Sequence, residues 1–208
     1  MYTPATELLK NIFDRTFSLV ALVILSPLLV LIAIAVRLDS KGPALFKQKR
    51  IGLCGKPFII YKFRGMHVDA RERFPQLYNY KYSEEEISRL YFHFPNDPRV
   101  TRIGRILRRT SLDELPNFLN VALGHMSLVG PRPEIPDLVI YYGEAKDIIL
   151  SVKPGITSLA KLMGRDALDF RETLVLEAKY VRMRSPLIDL KILIGTAWQV
   201  ITGRSIGY

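Results

Sequence analysis

From Phe17 to Val36 the stretch FSLVALVILSPLLVLIAIAV runs for 20 residues without a charge, roughly the length that crosses ~30 Å of hydrocarbon as a helix. No other segment of the chain has this length and character, so whatever else folds must fold around it. Two features argue against a plain crossing. Ser26-Pro27 stands at the centre, where a proline removes a backbone donor and collides with the carbonyl four residues back. Lys10 and Arg15 precede the stretch, and Arg37, Lys41, Lys47, Lys49 and Arg50 follow it, so both ends carry the basic signature of the cytoplasmic side. A helix that enters one leaflet and returns satisfies both observations, each half of about 10 residues reaching ~15 Å. The Ser26 hydroxyl is placed to satisfy a carbonyl freed by Pro27. A re-entrant hairpin is therefore preferred to a kinked span, a plain anchor or a buried core helix. A signal peptide fits least, because the run is long for one, the residues before it are nearly neutral and those after it are basic.

Charge sharpens the picture. The chain carries 30 Lys and Arg against 20 Asp and Glu, a net +10. Within residues 1–36 the charges Glu7, Lys10, Asp14 and Arg15 cancel, so the whole excess lies in residues 37–208. A neutral apolar head on a basic body predicts a polyanionic partner: nucleic acid, an anionic membrane surface or a phosphorylated small molecule. At 49% hydrophobic residues the chain is too apolar for disorder. Its one cysteine, Cys54, excludes an internal disulfide framework and a Cys-x-x-Cys metal site. His67, His93 and His125 are dispersed, and the common glycine-rich nucleotide cradles are absent. The division expected is a membrane helix with its flanks over residues 1–40 and a cytoplasmic domain over 41–208, with interfacial helices. The fold expected is mainly α with a small β-hairpin, the re-entrant helix sitting on a compact α+β body.

Along that body, the short runs Ala44 to Phe46 and Phe58 to Tyr61, punctuated by Gly42-Pro43 and Gly52 to Gly55, predict the hairpin. Residues 69–98 read as a loop with a short helix capped by Ser83. Helices are expected over Pro116 to Ala122, Ile135 to Tyr142, Ala145 to Ser151, Phe170 to Arg184 and Pro186 to Thr202. The last either rests on the interface through Trp198 or closes the core.

RVTRIGRILRRTSLDELPNFLN is the segment densest in chemical groups. Arg99, Arg102, Arg105 and Arg108 recur every third residue, a stripe suited to gripping phosphate or to lying on anionic headgroups. Asp113-Glu114 follows directly. Ser111-Leu112-Asp113-Glu114 fits a helix capping box, yet Pro116 as the first helical residue would leave both acids just outside the helix. An ionised carboxylate is also a usable nucleophile toward phosphorus, and a neighbour can hold Mg²⁺. The residues alone leave the structural and the catalytic reading level. Arg132 on the rigid turn Gly130-Pro131-Arg132-Pro133, Lys153-Pro154-Gly155 and Gly164-Arg165 are further phosphate-type loops.

The strings FKQKRIGLCGKPFIIYKFRGM, RVTRIGRILRRTSLDELPNFLNV, MSLVGPRPE, KPGITSLAKLMGR and YVRMRSPLIDLKIL, in this order, resemble the bacterial sugar transferases, the monotopic polyprenyl-phosphate phosphoglycosyl transferases. The resemblance runs from about Phe13 to Thr202. It implies an enzyme of the cytoplasmic face of the bacterial inner membrane that moves a phosphosugar from a nucleoside diphosphate sugar, usually UDP-linked, to undecaprenyl phosphate, with Mg²⁺ as cofactor. Such a step starts a surface glycan such as an exopolysaccharide or lipopolysaccharide. By the resemblance Asp113 is the nucleophile, forming a covalent phosphosugar intermediate, and Glu114 is its partner; both lie at the metal. Lys62, Arg108 and Arg132 match phosphate-handling positions, Arg165 and Glu177 lie where substrate contacts are expected, and Ser26-Pro27 matches the break of the membrane helix. Three positions depart from the pattern: His125 and Glu177 stand where Asp is usual, and Gly65 where Ser is usual. The partners implied are the nucleotide sugar, undecaprenyl phosphate and membrane lipids, with a homodimer left open and no nucleic acid. The rival is a non-catalytic membrane-anchored scaffold of a glycan-assembly complex, in which the capping box explains Asp113-Glu114 without chemistry.

Overall fold

The computed structural model of the chain describes residues 2–91, 96–164 and 167–203. It opens with helix α1 (Pro4–Asp39), 36 residues or about 54 Å at 1.5 Å per residue. Thr3 and Thr6 close a reciprocal cap at its start, and Pro4 occupies its first turn, where a missing N–H costs nothing. The helix stays helical through Pro27. Ser26 Oγ donates to Val23 O at 2.8 Å, and Val23 is the residue whose carbonyl a proline at 27 leaves without a donor. The break expected at Ser26-Pro27 is thus a repaired position inside one continuous helix.

Asp14, Ser18, Ile32 and Val36 are the buried residues of α1. Asp14 and Ile32 are five turns apart, so one face of the helix meets the body near both ends. Between them Val23 is 74% and Ile24 70% exposed. At the C-terminal end Ile32 and Val36 pack with Phe63 and Leu107 in one buried cluster, each side chain worth about 1.5–3 kcal/mol. The Arg64 guanidinium donates to the carbonyls of Ser40 and Lys41 just past the helix end, and shares Val36 O with the capping N–H of Ser40.

The body follows. Strands β1 (Leu45–Ile51) and β2 (Pro57–Phe63) form the expected antiparallel hairpin, Leu45 opposite Phe63 and Ile51 opposite Pro57. The polar segment carries α2 (Ala70–Arg73) and α3 (Glu84–Ser88), the latter held by the Ser83–Glu86 capping box. It is docked on the body: Ile87 is buried in a second core with Tyr142, Ile149 and Phe170, and Phe170 N donates to Leu90 O at 2.9 Å. Next come α4 (Arg102–Thr110), α5 (Asn117–Ala122), β3 (Ser127–Val129), α6 (Pro136–Val139), α7 (Ala145–Ile149), β4 (Gly155–Thr157), α8 (Leu159–Met163), α9 (Phe170–Met183) and α10 (Pro186–Thr202). The last two match the expected helices closely, whereas the run Ile135 to Tyr142 divides into α6 and a 3-10 turn.

One element was not foreseen. β3 and β4 pair in parallel, joining the Gly130-Pro131 and Pro154-Gly155 turns that the sequence presents separately. A Cβ on Gly155 would lie 2.1 Å from Gly130 N, so the strands close only because both positions lack side chains.

α4 is seated by a second close approach. A Cβ on Gly104 would stand 2.0 Å from Gly65 O, whereas one on Gly65 would meet nothing nearer than 3.5 Å. Thr101 caps α4 by accepting from Gly104 N at 2.9 Å, and its own N–H donates to Gly65 O at 3.1 Å. Gly104→Ala should therefore lower stability by about 1–3 kcal/mol while Gly65→Ala stays close to the parent, a contrast that thermal unfolding of the two variants measures.

Candidate active site

Where β2, α8 and the turn between α4 and α5 meet, Glu114 stands between two lysines. Its Oε1 accepts from Lys62 Nζ of β2 at 2.8 Å, and its Oε2 pairs with Lys161 Nζ of α8. Lys161 is also 3.2 Å from Ile156 O, and Ser158 Oγ caps α8 by accepting from Lys161 N at 3.1 Å. Burial works against the charge on Glu114, but Lys161 and Lys62 outweigh it and hold the carboxyl well below the usual range.

Asp113 is half-buried, and among the described residues its carboxyl accepts no hydrogen bond. Burial pushes its pKa up, and the Glu114 charge adds to that, while Lys62, Lys161 and Arg108 pull against it. The two acids are thus differentiated: Glu114 is held anionic by ion pairing, and Asp113 is the more basic and the less committed.

The capping box does not form. Ser111 is left-handed at φ 59° and ends α4, with no side-chain cap, and its buried hydroxyl has no partner. Leu112–Glu114 is a 3-10 turn, and Pro116 directly precedes the first residue of α5, so both acids lie just outside that helix. The cations around them are chiefly lysines rather than the arginines of the adjacent stripe. Arg102 and Arg105 are exposed, and Arg99 is buried against Asp97, its Nη2 at 2.7 Å. Arg108 is the member of the stripe that reaches toward the dyad, at 4.0 Å from Asp97 and acting on Asp113.

Opposite the dyad, the turn after β3 delivers Arg132. Its Nε is 3.0 Å from Glu134 Oε1, and Glu134 Oε2 is 3.1 Å from Arg50 of β1. Glu177 of α9 accepts from Arg132 N at 3.3 Å. Arg50, Arg132 and Glu177 line one open cleft together with Lys62, Glu114, Asn117, Ser158 and Lys161. Its two walls bring four cationic side chains, Arg50, Lys62, Arg132 and Lys161, around carboxylates, which is the chemistry of a phosphate-ester site.

The family model described as "Bacterial sugar transferase" matches residues 5–203. The chain belongs to the bacterial sugar transferase family. Among relatives of this sugar transferase, the "Undecaprenyl-phosphate galactose phosphotransferase" of Salmonella typhimurium is 38% identical over 201 residues, covering 95% of this chain and 41% of that protein. The "UDP-glucose:undecaprenyl-phosphate glucose-1-phosphate transferase" of Escherichia coli is 39% identical, covering 93% and 40%. The "Exopolysaccharide production protein PSS" of Rhizobium leguminosarum is 38% identical, covering 93% and 96%. The chain thus spans about two fifths of the length of the first two relatives and nearly all of the third.

Of the residues singled out in the sequence, the structure brings Lys62, Glu114, Arg132 and Glu177 together on the lining of the cleft; Asp113 stands beside Glu114, outside that lining and under the influence of Lys62, Lys161 and Arg108. Arg165 lies outside the described residues, as does His93. His125 is away from the cleft, its ring 6.0 Å from that of Phe58. Lys161, Arg50 and Glu134 were missed; the one sequence signal for Lys161 was its place after Ser158, a helix cap leading into KLMGR.

Glu177, 2% exposed, has its pKa pushed by burial from 4.5 up to about 7, with Ser158 and Arg132 only partly offsetting. The folded state therefore holds a proton that the unfolded state releases, and stability falls as pH rises from about 4.5 to about 7. Glu177→Gln should remove up to ~3 kcal/mol of that fall, so in thermal melts the variant gains on the parent at pH 8 relative to pH 5.

Proposed function

We propose that this sugar transferase moves a sugar 1-phosphate from a UDP-sugar to undecaprenyl phosphate through a phosphosugar carried on Asp113. The observation that carries the reading is the differentiated dyad. Glu114 is neutralised by Lys62 and Lys161, while Asp113 beside it keeps a basic carboxylate without a hydrogen bond. An oxygen of Asp113 attacks the phosphorus bearing the sugar, and the bond to the second phosphate breaks as UMP departs with the electron pair. A phosphate oxygen of the lipid then attacks the same phosphorus and returns Asp113 to a carboxylate, giving undecaprenyl-diphosphate sugar. Lys62, Lys161, Arg132 and Arg108 hold the phosphate oxygens during both displacements. The names of the Salmonella and Escherichia coli relatives support the lipid acceptor, and that of the latter supports a UDP donor.

Mg²⁺ fits this arrangement. Such an ion is commonly held by one or two carboxylates with substrate phosphates and water, and Asp113-Glu114 supplies that set; no group of three ligating side chains exists among the described residues. Both Glu114 oxygens face lysines, so Asp113 offers the open ligand oxygen. With the diphosphate bound, the ion supplies positive charge for the departing phosphate.

The disposition in the membrane follows from α1. Among the described residues one helix is long and apolar enough to cross a bilayer, yet Asp14 near one end and Val36 near the other are both buried, against Ser127 and Arg64 of one body. A crossing would carry half of that body with it. We place the exposed face of α1 in the cytoplasmic leaflet of the bacterial inner membrane, as one continuous helix that does not cross, with the cleft beside the headgroups.

Full-length protein in membranes, given undecaprenyl phosphate, Mg²⁺ and a panel of UDP-sugars, should release UMP from at least one of them. Asp113→Asn should lower that release by at least about 10³-fold, and chelation of Mg²⁺ should stop it until the ion is restored. Turnover by Asp113→Asn at the parent rate would overturn the proposal.

A further inference from the structure

The N-terminal end of α1 is tied to the body by a buried charged network as well as by apolar packing of Phe17 on Phe118 of α5. Asp14, 4% exposed, has its Oδ2 2.5 Å from Ser127 Oγ and 3.3 Å from Leu128 N. Lys10 bridges Asp14 at 3.2 Å to Asp189 of α10 at 2.7 Å, and the hydroxyls of Tyr2 and Tyr180 each lie 2.7 Å from Asp189. One turn before Asp14, Asn11 Oδ1 accepts from Lys153 Nζ at 2.6 Å. Anchoring alone is served at the other end of the helix by Ile32 and Val36. A buried ionic network adds little net stability over apolar packing, and its best-attested use is to fix one register.

What it fixes is the parallel pair. Asp14 holds the first two residues of β3, and Asn11 holds Lys153, two residues before β4 begins. Ser127 N donates to Pro154 O at 2.8 Å and Gly130 N to Thr157 O at 3.0 Å, so the strands move together. Their far ends deliver both cationic walls of the cleft: Arg132 follows β3, and Lys161 follows β4 through the Ser158 cap. Tyr180, whose hydroxyl is also 3.2 Å from Val129 O, stands one turn after Glu177 on α9.

We infer that Asp14 of the membrane helix is a positioning residue for phosphosugar transfer, setting the placement of Arg132 through β3. The seat of the helix in the leaflet and the geometry of the cleft are then one variable. This rests on the transferase reading and adds to it a residue outside the cleft.

The test is a double-mutant cycle on the full chain in membranes, following UMP release from the donor that the parent uses. In folded protein, checked by its thermal transition, Asp14→Ala should lower kcat by on the order of 10–100-fold, the usual cost of a misplaced contact. Asp14→Asn, which keeps an acceptor for Ser127, should recover most of that. In an Arg132→Ala background, Asp14→Ala should cost less than about twofold more, because the two act along one path. If Asp14→Ala does not fold, Ser127→Ala, which leaves the Lys10–Asp14 pair in place, replaces it in the same cycle. Costs that multiply independently of Arg132, or kcat unchanged in the folded variant, would overturn the inference while leaving the transferase intact. A parent silent toward every donor would overturn the transferase reading itself, and this inference with it.

Discussion

Glu114 between Lys62 and Lys161 is the contact on which the cleft depends, because each of the three comes from a different element. Lys62 arrives on β2, Glu114 on the 3-10 turn after α4, and Lys161 on α8. A buried carboxylate with two ammonium partners is tolerable only when all three are present. Removing Glu114 would leave two lysines facing each other, and removing either lysine would leave an anion short of partners. The same arithmetic sets the chemistry. With one acid neutralised, the proposal gives the chemical role to its neighbour Asp113, among cations that an incoming diphosphate would recruit.

The second constraint is the length of α1. The helix docks near both ends on one body through the buried face of Asp14, Ser18, Ile32 and Val36, and its other faces leave apolar side chains exposed from Leu8 to Leu38. Arg64 closes one end and the Lys10–Asp14–Asp189 network the other. Ser26 repairs the hydrogen bond that Pro27 removes, so the helix carries its proline without leaving a bare carbonyl where water is scarce. In the proposed reaction between a soluble nucleotide sugar and a lipid phosphate, this docking would hold the cleft and the membrane surface in a fixed relation.

Much of this was legible in the sequence where the signal is local. The hairpin, the Ser83 cap, α9 and α10 follow from turn residues, caps and apolar period, and the Ser26 repair follows from proline stereochemistry. What failed to show was non-local. β3 and β4 are three residues each, bounded by Gly and Pro, and read as loops until their pairing is seen. Lys161 is 47 residues from Glu114, and nothing near it announces an acidic partner. Ser111-x-x-Glu114 shows the reverse error: the pattern of a capping box is complete, but the left-handed backbone at Ser111 and the pull of two lysines on Glu114 prevent it. Arg108 was separable from its stripe only once Gly104, packed on Gly65, fixed which way α4 faces.

The central claim is that Asp113 carries the phosphosugar. Purified full-length protein mixed with its UDP-sugar and Mg²⁺, without any lipid acceptor, and then acid-quenched for intact-mass and peptide analysis tests it most directly. The account predicts one added sugar phosphate, located on the peptide containing Asp113, formed with an equal amount of UMP and discharged when undecaprenyl phosphate is added. UMP formed only after the lipid is added, with the protein mass unchanged throughout, would contradict it and point to direct transfer between the two substrates.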